Sequence, residues 1–286
     1  MPGAWSKRNG VVAAALAVAV GAALASTSAA GTSTAVVDLS PGEAGEAVAA
    51  CKKGAKRHGK RAKRRVVFGG FETTPSLAAD GSGPLVDTLV RPRRRKLQVG
   101  GANGGEEPGA IRAFAYCRRK APTLHARSST ATVPALDEDF ASVRCPESES
   151  VRFGGFEGKR APDGAPGVVP TTMVLLGRRE LLVYGGNLSD SDETITATAY
   201  CGEGSPLTEA IASTFVSPGD RGSATAVCPA GTRVAFGGFD IEFLGIDDAT
   251  LRLRAAKLTS RRTWRVTAQN LSALDQGYLD AYAYCS

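Results

Sequence analysis

The stretch Arg65 to Glu72 reads RVVFGGFE, and the phrase returns as VRFGGFE at Val151 to Glu157 and as RVAFGGFD at Arg233 to Asp240. Glycine inside a strand marks a bulge or the close approach of another backbone. Phe68 and Phe71 are three apart, so an ideal strand puts them on opposite faces. A bulge at the glycines would bring both to one core. Three equal occurrences, with no unequal polar partner, favour a structural joint over a chemical site.

Each phrase sits inside a longer repeat, and repetition has to be settled before any fold is considered. A cysteine precedes it (Cys51, Cys145, Cys228), a segment ending in Asn follows (Asn103, Asn187, Asn270), and a segment ending Tyr-Cys closes the unit (Cys117, Cys201, Cys285). From the first glycine of the pair to that Asn is 34, 33 and 33 residues; from the Asn to the last Cys is 14, 14 and 15. The units run 33–117, 128–201 and 211–285, joined by short polar links.

The local patterns are strand patterns. TLRLRAA and TWRVTAQ alternate, LDAYAYC alternates, and PGDRG and CPAGT are turns. About six strands per unit follow, and no helix is compelling. The expected class is all-β: three repeated antiparallel modules of about six strands, built as small sandwiches. The alternative is one pseudo-threefold β-prism-like body. Separate sandwiches are preferred because each repeat carries enough strands and its own staple.

Six cysteines allow 15 connectivities. The simplest pairing, one per unit, is Cys51–Cys117, Cys145–Cys201 and Cys228–Cys285. Each closes a loop worth about 4 kcal/mol in the chain-entropy model. Pairing between units would have to cross-link three equivalent units unequally or cyclically.

The pattern CPAGTRVAFGGF, then TWRVTAQN, then AYAYC resembles a recurring module of exported, uncharacterised actinobacterial proteins. The resemblance covers most of the chain after its first 30 residues, three times over. Its motifs are structural and imply no activity. Module 3 fits best. Module 2 has CPESES without the turn glycine, and module 1 has no Pro after Cys51 and nine extra residues before its glycines.

The N-terminus reads as an export signal over residues 1–30. Lys7 and Arg8 precede an apolar run, Val11 to Leu24, and Ala23-Leu24-Ala25 or Ser28-Ala29-Ala30 offers a cleavage site. An N-terminal membrane anchor is the competing reading, disfavoured by the shortness of the run. A secreted or cell-surface location follows, with no membrane span after cleavage, and it suits disulfides.

Charge singles out module 1. Residues 36–117 hold 15 basic and 8 acidic groups; residues 118–201 hold 10 and 11, and residues 202–286 hold 8 and 9. The excess comes from an insertion at 52–65, with Lys52, Lys53, Lys56, Arg57, Lys60, Arg61, Lys63, Arg64 and Arg65, and from RPRRRK, with Arg93, Arg94, Arg95 and Lys96. These are the candidate polyanion-binding residues. The expected partner is an anionic cell-wall polymer or polysaccharide. Nucleic acid is disfavoured because no aromatic residues are interleaved for stacking. The plain alternative is a solvated loop.

Other constellations are weaker. Arg94-Arg95, Arg178-Arg179 and Arg261-Arg262 recur and read as polar turns. Glu72, Glu157 and Asp240 follow the phrase, one acid per unit, which is not a glycosidase pair. Asp190, Asp192 and Glu193 have Ca²⁺-like spacing without the glycine turn of an EF-hand loop, and Asp247 and Asp248 form another acidic loop. His58 and His125 are the only histidines, and no nucleophile-elbow, zincin or phosphate-loop pattern occurs. The expectation is therefore a non-enzymatic protein with no cofactor, metal or catalytic residue. A lectin-like binder using equivalent loops, or an enzyme of unrecognised type, are the alternatives.

Overall fold

A computed structural model describes residues 31–52, 56–57, 60–61, 64–78, 81–119, 121–161, 166–243 and 251–286. The expected export segment, Lys53, Lys63, His58, and Asp247 and Asp248 lie outside the described residues. Module 1 comprises β1 (Thr32–Leu39), β2 (Ala44–Ala50), the two-residue β3 (Lys56–Arg57) and β4 (Lys60–Arg61), β5 (Arg65–Thr74), β6 (Pro84–Arg93), β7 (Lys96–Asn103) and β8 (Gly109–Arg118). Module 2 comprises β9 (His125–Val133), β10 (Glu138–Arg144), β11 (Ser150–Gly158), β12 (Val168–Leu176), β13 (Glu180–Asn187) and β14 (Glu193–Gly202). Module 3 comprises β15 (Thr208–Val216), β16 (Arg221–Val227), β17 (Val234–Phe243), β18 (Leu251–Ser260), β19 (Thr263–Asn270) and β20 (Gly277–Cys285). The chain is all-β among the described residues, and the pairing is antiparallel throughout.

The six main strands of a module split three and three. β1, β8 and β5 form one layer of module 1 and β2, β7 and β6 the other; β1 lies against β2 and β7 against β8. Cys51–Cys117 ties the end of β2 to the end of β8, and Cys145–Cys201 and Cys228–Cys285 do the same in their modules. Each module is thus a small sandwich stapled across its layers.

The sandwiches are not separate. Each six-stranded sheet takes three strands from one module and three from the next. The orders are β2-β7-β6-β11-β14-β9, β10-β13-β12-β17-β20-β15 and β1-β8-β5-β18-β19-β16. Module 1 joins module 2, module 2 joins module 3, and module 3 closes back onto module 1. The preference for independent sandwiches is therefore corrected to one pseudo-threefold body. In it, each sheet is shared by two repeats rather than supplied by one.

The repeated phrase makes the joint. Each joint has only two paired positions: Phe156 and Glu157 with Leu89 and Thr88, Phe239 and Asp240 with Met173 and Thr172, and Phe71 and Glu72 with Ala256 and Ala255. Phe71, Phe156 and Phe239 meet edge-on at the centre, with ring centroids 6.2–6.5 Å apart. The second glycine of each phrase lets the neighbouring strand approach. A Cβ on Gly70, Gly155 or Gly238 would lie 2.3–2.4 Å from the carbonyl oxygen of Ala256, Leu89 or Met173. The expected bulge falls earlier, between Val66 and Phe68 and at the equivalent places in β11 and β17. Both phenylalanines are buried because the whole run Val66–Phe71 is buried.

Two further devices repeat. The penultimate tyrosine of each module reaches a strand of the preceding module in the ring, module 1 reaching module 3. Its hydroxyl accepts a hydrogen bond from the main-chain N–H of Leu258 (Tyr116, 2.8 Å), Arg91 (Tyr200, 2.6 Å) or Leu175 (Tyr284, 2.8 Å). Asn103, Asn187 and Asn270 are buried, and their amides donate to carbonyls of both adjoining loops, such as Leu39 and Glu107, Val133 and Ser191, and Val216 and Asp275. The three repeated asparagines are thus structural clamps.

The joints are chemically distinct. At the position where β6 carries Asp87, β12 carries Thr171 and β18 carries Arg254, all buried. Asp87 forms a two-pronged ion pair with Arg160 of module 2 (2.6 and 3.2 Å). Arg254 donates to the carbonyls of Pro75 and Pro84 in module 1; burial holds its guanidinium down to about 10. Unequal buried polar groups specify partners more than they add stability. Here they distinguish the joints of an otherwise symmetric ring.

Candidate polyanion-binding face

Antiparallel pairing at the joints puts the three disulfides at one end of the pseudo-threefold axis and the three asparagine clamps at the other. Loops at the disulfide end are rich in cations. Lys52, Arg93, Arg94, Lys96 and Arg119 are exposed there, and Arg64, Arg65 and Arg118 are half-buried. The described ends of the insertion, Lys52 and Arg64, both lie on this face. Within it, Lys56–Arg57 pairs with Lys60–Arg61 as a short ribbon. Acids at this end are Glu147 and Glu149 of module 2, with Glu180, Glu203 and Glu209. Module 1 contributes none.

The opposite end is acidic: Glu43, Glu106, Glu107, Asp137, Glu138, Asp190, Asp192, Glu193, Asp220 and Asp275 lie in or beside its loops. The molecule is therefore polar along its axis. The alternate spacing Asp190, Asp192, Glu193 does not make a cation cage. Asp192 accepts from the N–H of Ala135 (3.1 Å), and Glu193 is buried against Lys159 (3.1 Å). Among the described residues no group of three or more acidic, His or Cys side chains is placed to hold a metal.

Not every predicted cation is free for a ligand. Arg95 donates to the carbonyl of Cys51, and Arg262 does the same to Cys228. The main-chain carbonyls of each Arg pair accept from the Cys and from the start of the phrase strand, as in Cys51 N–H to Arg95 and Val66 N–H to Arg94. The recurring pairs are turns that clamp the disulfide. Glu72 is taken by Lys257 and Arg112, and Asp240 accepts from Thr172.

Several residues that the charge runs did not flag belong to the same face. Arg118 directly follows Cys117, and Arg233 and Arg261 of module 3 approach it across the joint. The signal was present in the repeat alignment: the residue after the last Cys is Arg118, Gly202 and Ser286, and Arg233 stands where module 2 has Ser150. Burial, then Arg233, lowers the Arg118 guanidinium to about 10.

No protein-family model matches the chain, and no curated protein matches it. Among the described residues no helix is long and apolar enough to cross a membrane.

Proposed function

We propose that the protein is an exported, non-enzymatic binder of an anionic polymer at or outside the cell surface, engaged by the disulfide end of module 1. The observation that carries this reading is the placement of the insertion ends, the Arg93–Lys96 turn and Arg118-Arg119 on one face to which module 1 brings no acid. A face of one sign raises the local concentration of a polyanion and speeds its capture, with strong dependence on salt. The acidic opposite end orients the molecule, because it is repelled by the same surface. Three disulfides suit an oxidising location. A lectin-like mode using three equal sites is less well supported, because the loops at the three joints differ in charge.

The test is retention on purified cell wall bearing an anionic polymer. The oxidised protein is expected to bind at low salt and to elute as salt rises. A variant lacking residues 53–63 should elute at clearly lower salt. Equal retention of that variant refutes the charge mechanism.

A further inference from the structure

The three joints are equivalent in sequence position and register, so the space beneath each bridging tyrosine can be compared position by position. At the joint of modules 1 and 2, Arg91 fills it. Its guanidinium lies 4.8 Å over the Tyr200 ring and donates to the carbonyl of Val66 at 3.1 Å. At the joint of modules 2 and 3, a cleft is lined by Ser150, Leu175, Arg178, Leu207, Glu209 and Tyr284. There the acid Glu209 lies opposite Tyr284 in the sheet register and accompanies the arginine. At the joint of modules 3 and 1, the cleft has a volume of about 170 Å³ and holds Arg118, Arg233 and Arg261 beside Tyr116. The position of Glu209 is taken by Thr32, which pairs with Tyr116.

The last cleft gathers cations that form no ion pair of their own, although Arg118 also lines a neighbouring cleft with Glu203 and Ser286, and a Ser286 main-chain oxygen accepts from the Arg233 N–H at 3.1 Å. Among the described residues no carboxylate lies within ion-pair distance of Arg118, Arg233 or Arg261. Arg118 is half-buried and spends one N–H on the carbonyl of Val234, at 3.4 Å. Like charges gathered beside a partly desolvated guanidinium are unfavourable until an anion joins them. Guanidinium forks match tetrahedral oxyanions, offering paired N–H donors at a fixed spacing.

We propose that the cleft between modules 3 and 1 seats one tetrahedral oxyanion, a phosphate or sulfate group, with Arg118 as its floor and Arg233 and Arg261 at its rim. This deepens the proposed function. The insertion gathers the polymer by long-range charge, and the cleft reads one phosphate or sulfate group on it.

The experiment is calorimetric titration of the oxidised protein with inorganic phosphate, sulfate and acetate. One saturable site is expected for phosphate or sulfate, with acetate at least tenfold weaker; which of the two binds more tightly assigns the group. The double variant Arg118→Gly, Arg233→Ser, which copies the residues at the equivalent positions of module 2, should bind at least tenfold more weakly. Arg178→Ser, at the cleft of modules 2 and 3, should leave the affinity unchanged. Trp264 fluorescence verifies that each variant is folded. Binding of phosphate and sulfate that is non-saturable, or equal in the double variant, overturns the proposal. Removing residues 53–63 should weaken polymer retention and spare the phosphate titration. The two readings can therefore fail independently.

Discussion

Shared sheets make a prediction that independent modules do not: damage in one module must be felt in another. Leu181 of module 2 and Trp264 of module 3 hold equivalent places, each packed over the first glycine of its own module's phrase, Gly154 and Gly237. Leu181 is fully buried at 0% exposure. Leu181→Ala removes its outer methyl groups from a close-packed core and should cost about 2–5 kcal/mol. At a urea slope of about 3 kcal/mol per molar, the midpoint falls by about 0.7–1.7 M. Trp264 is the only tryptophan after residue 30, so its fluorescence reports module 3. In one cooperative body, fluorescence and far-UV circular dichroism shift together by the full amount. If the modules unfold independently, circular dichroism shows an early partial transition while the Trp264 midpoint stays put. That outcome would refute the argument that two-residue joints and a central phenylalanine cluster couple the modules.

Other consequences are local. Gly155→Ala pushes a Cβ against the Leu89 carbonyl and should cost about 1–3 kcal/mol in a thermal melt, more than an exposed substitution would. Tyr200→Phe leaves the Arg91 N–H without its acceptor and should cost about 1–3 kcal/mol by urea titration. Asn187→Asp turns donors to Val133, Pro134 and Ser191 into an acceptor facing carbonyls, for a loss of about 3 kcal/mol or more by the same titration. Asp280 is buried opposite Asp240, with one oxygen unpartnered. Module 1 places Arg112 opposite Glu72, and module 2 places Thr196 opposite Glu157. Asp280→Thr should therefore stabilise by about 1 kcal/mol, read as a raised melting temperature; a lower one would show that the 3.4 Å hydrogen bond Asp280 accepts from Tyr282 outweighs the repulsion.

Much of this was legible in the sequence. Alternation gave the strands, and repetition gave the module count and the cysteine pairing, because each unit owns one cysteine at each end of the same loop. What was not legible is whose strand lies beyond β5. A strand alternates identically whether its neighbour is its own or the next module's, and each joint is only two residue pairs long. Its one local trace is the second glycine of the phrase, which exists for a backbone more than 180 residues away in the case of Gly70 and Ala256.

The candidate site was legible in its charge and not in its geometry. The run at 52–65 announces itself in any composition window, whereas Arg118 is a single residue after a cysteine. Its meaning depends on Arg233 and Arg261, which lie far along the chain and come close only because module 3 closes onto module 1. Repetition itself points to such places. Where all three copies agree, as in the paired glycines, the bridging tyrosine and the clamping asparagine, the residue holds the ring together. Where one copy departs, symmetry no longer accounts for it, and some departures close on themselves, as Asp87 does with Arg160. Arg118 and Arg233 depart in the same cleft and with the same sign, and no carboxylate pairs with them. Arg91 and Arg254 also lack a carboxylate, but each is satisfied by carbonyls or a ring within its joint; Arg118 makes one long bond of 3.4 Å to a carbonyl, which is why the cluster is proposed to take an anion from outside.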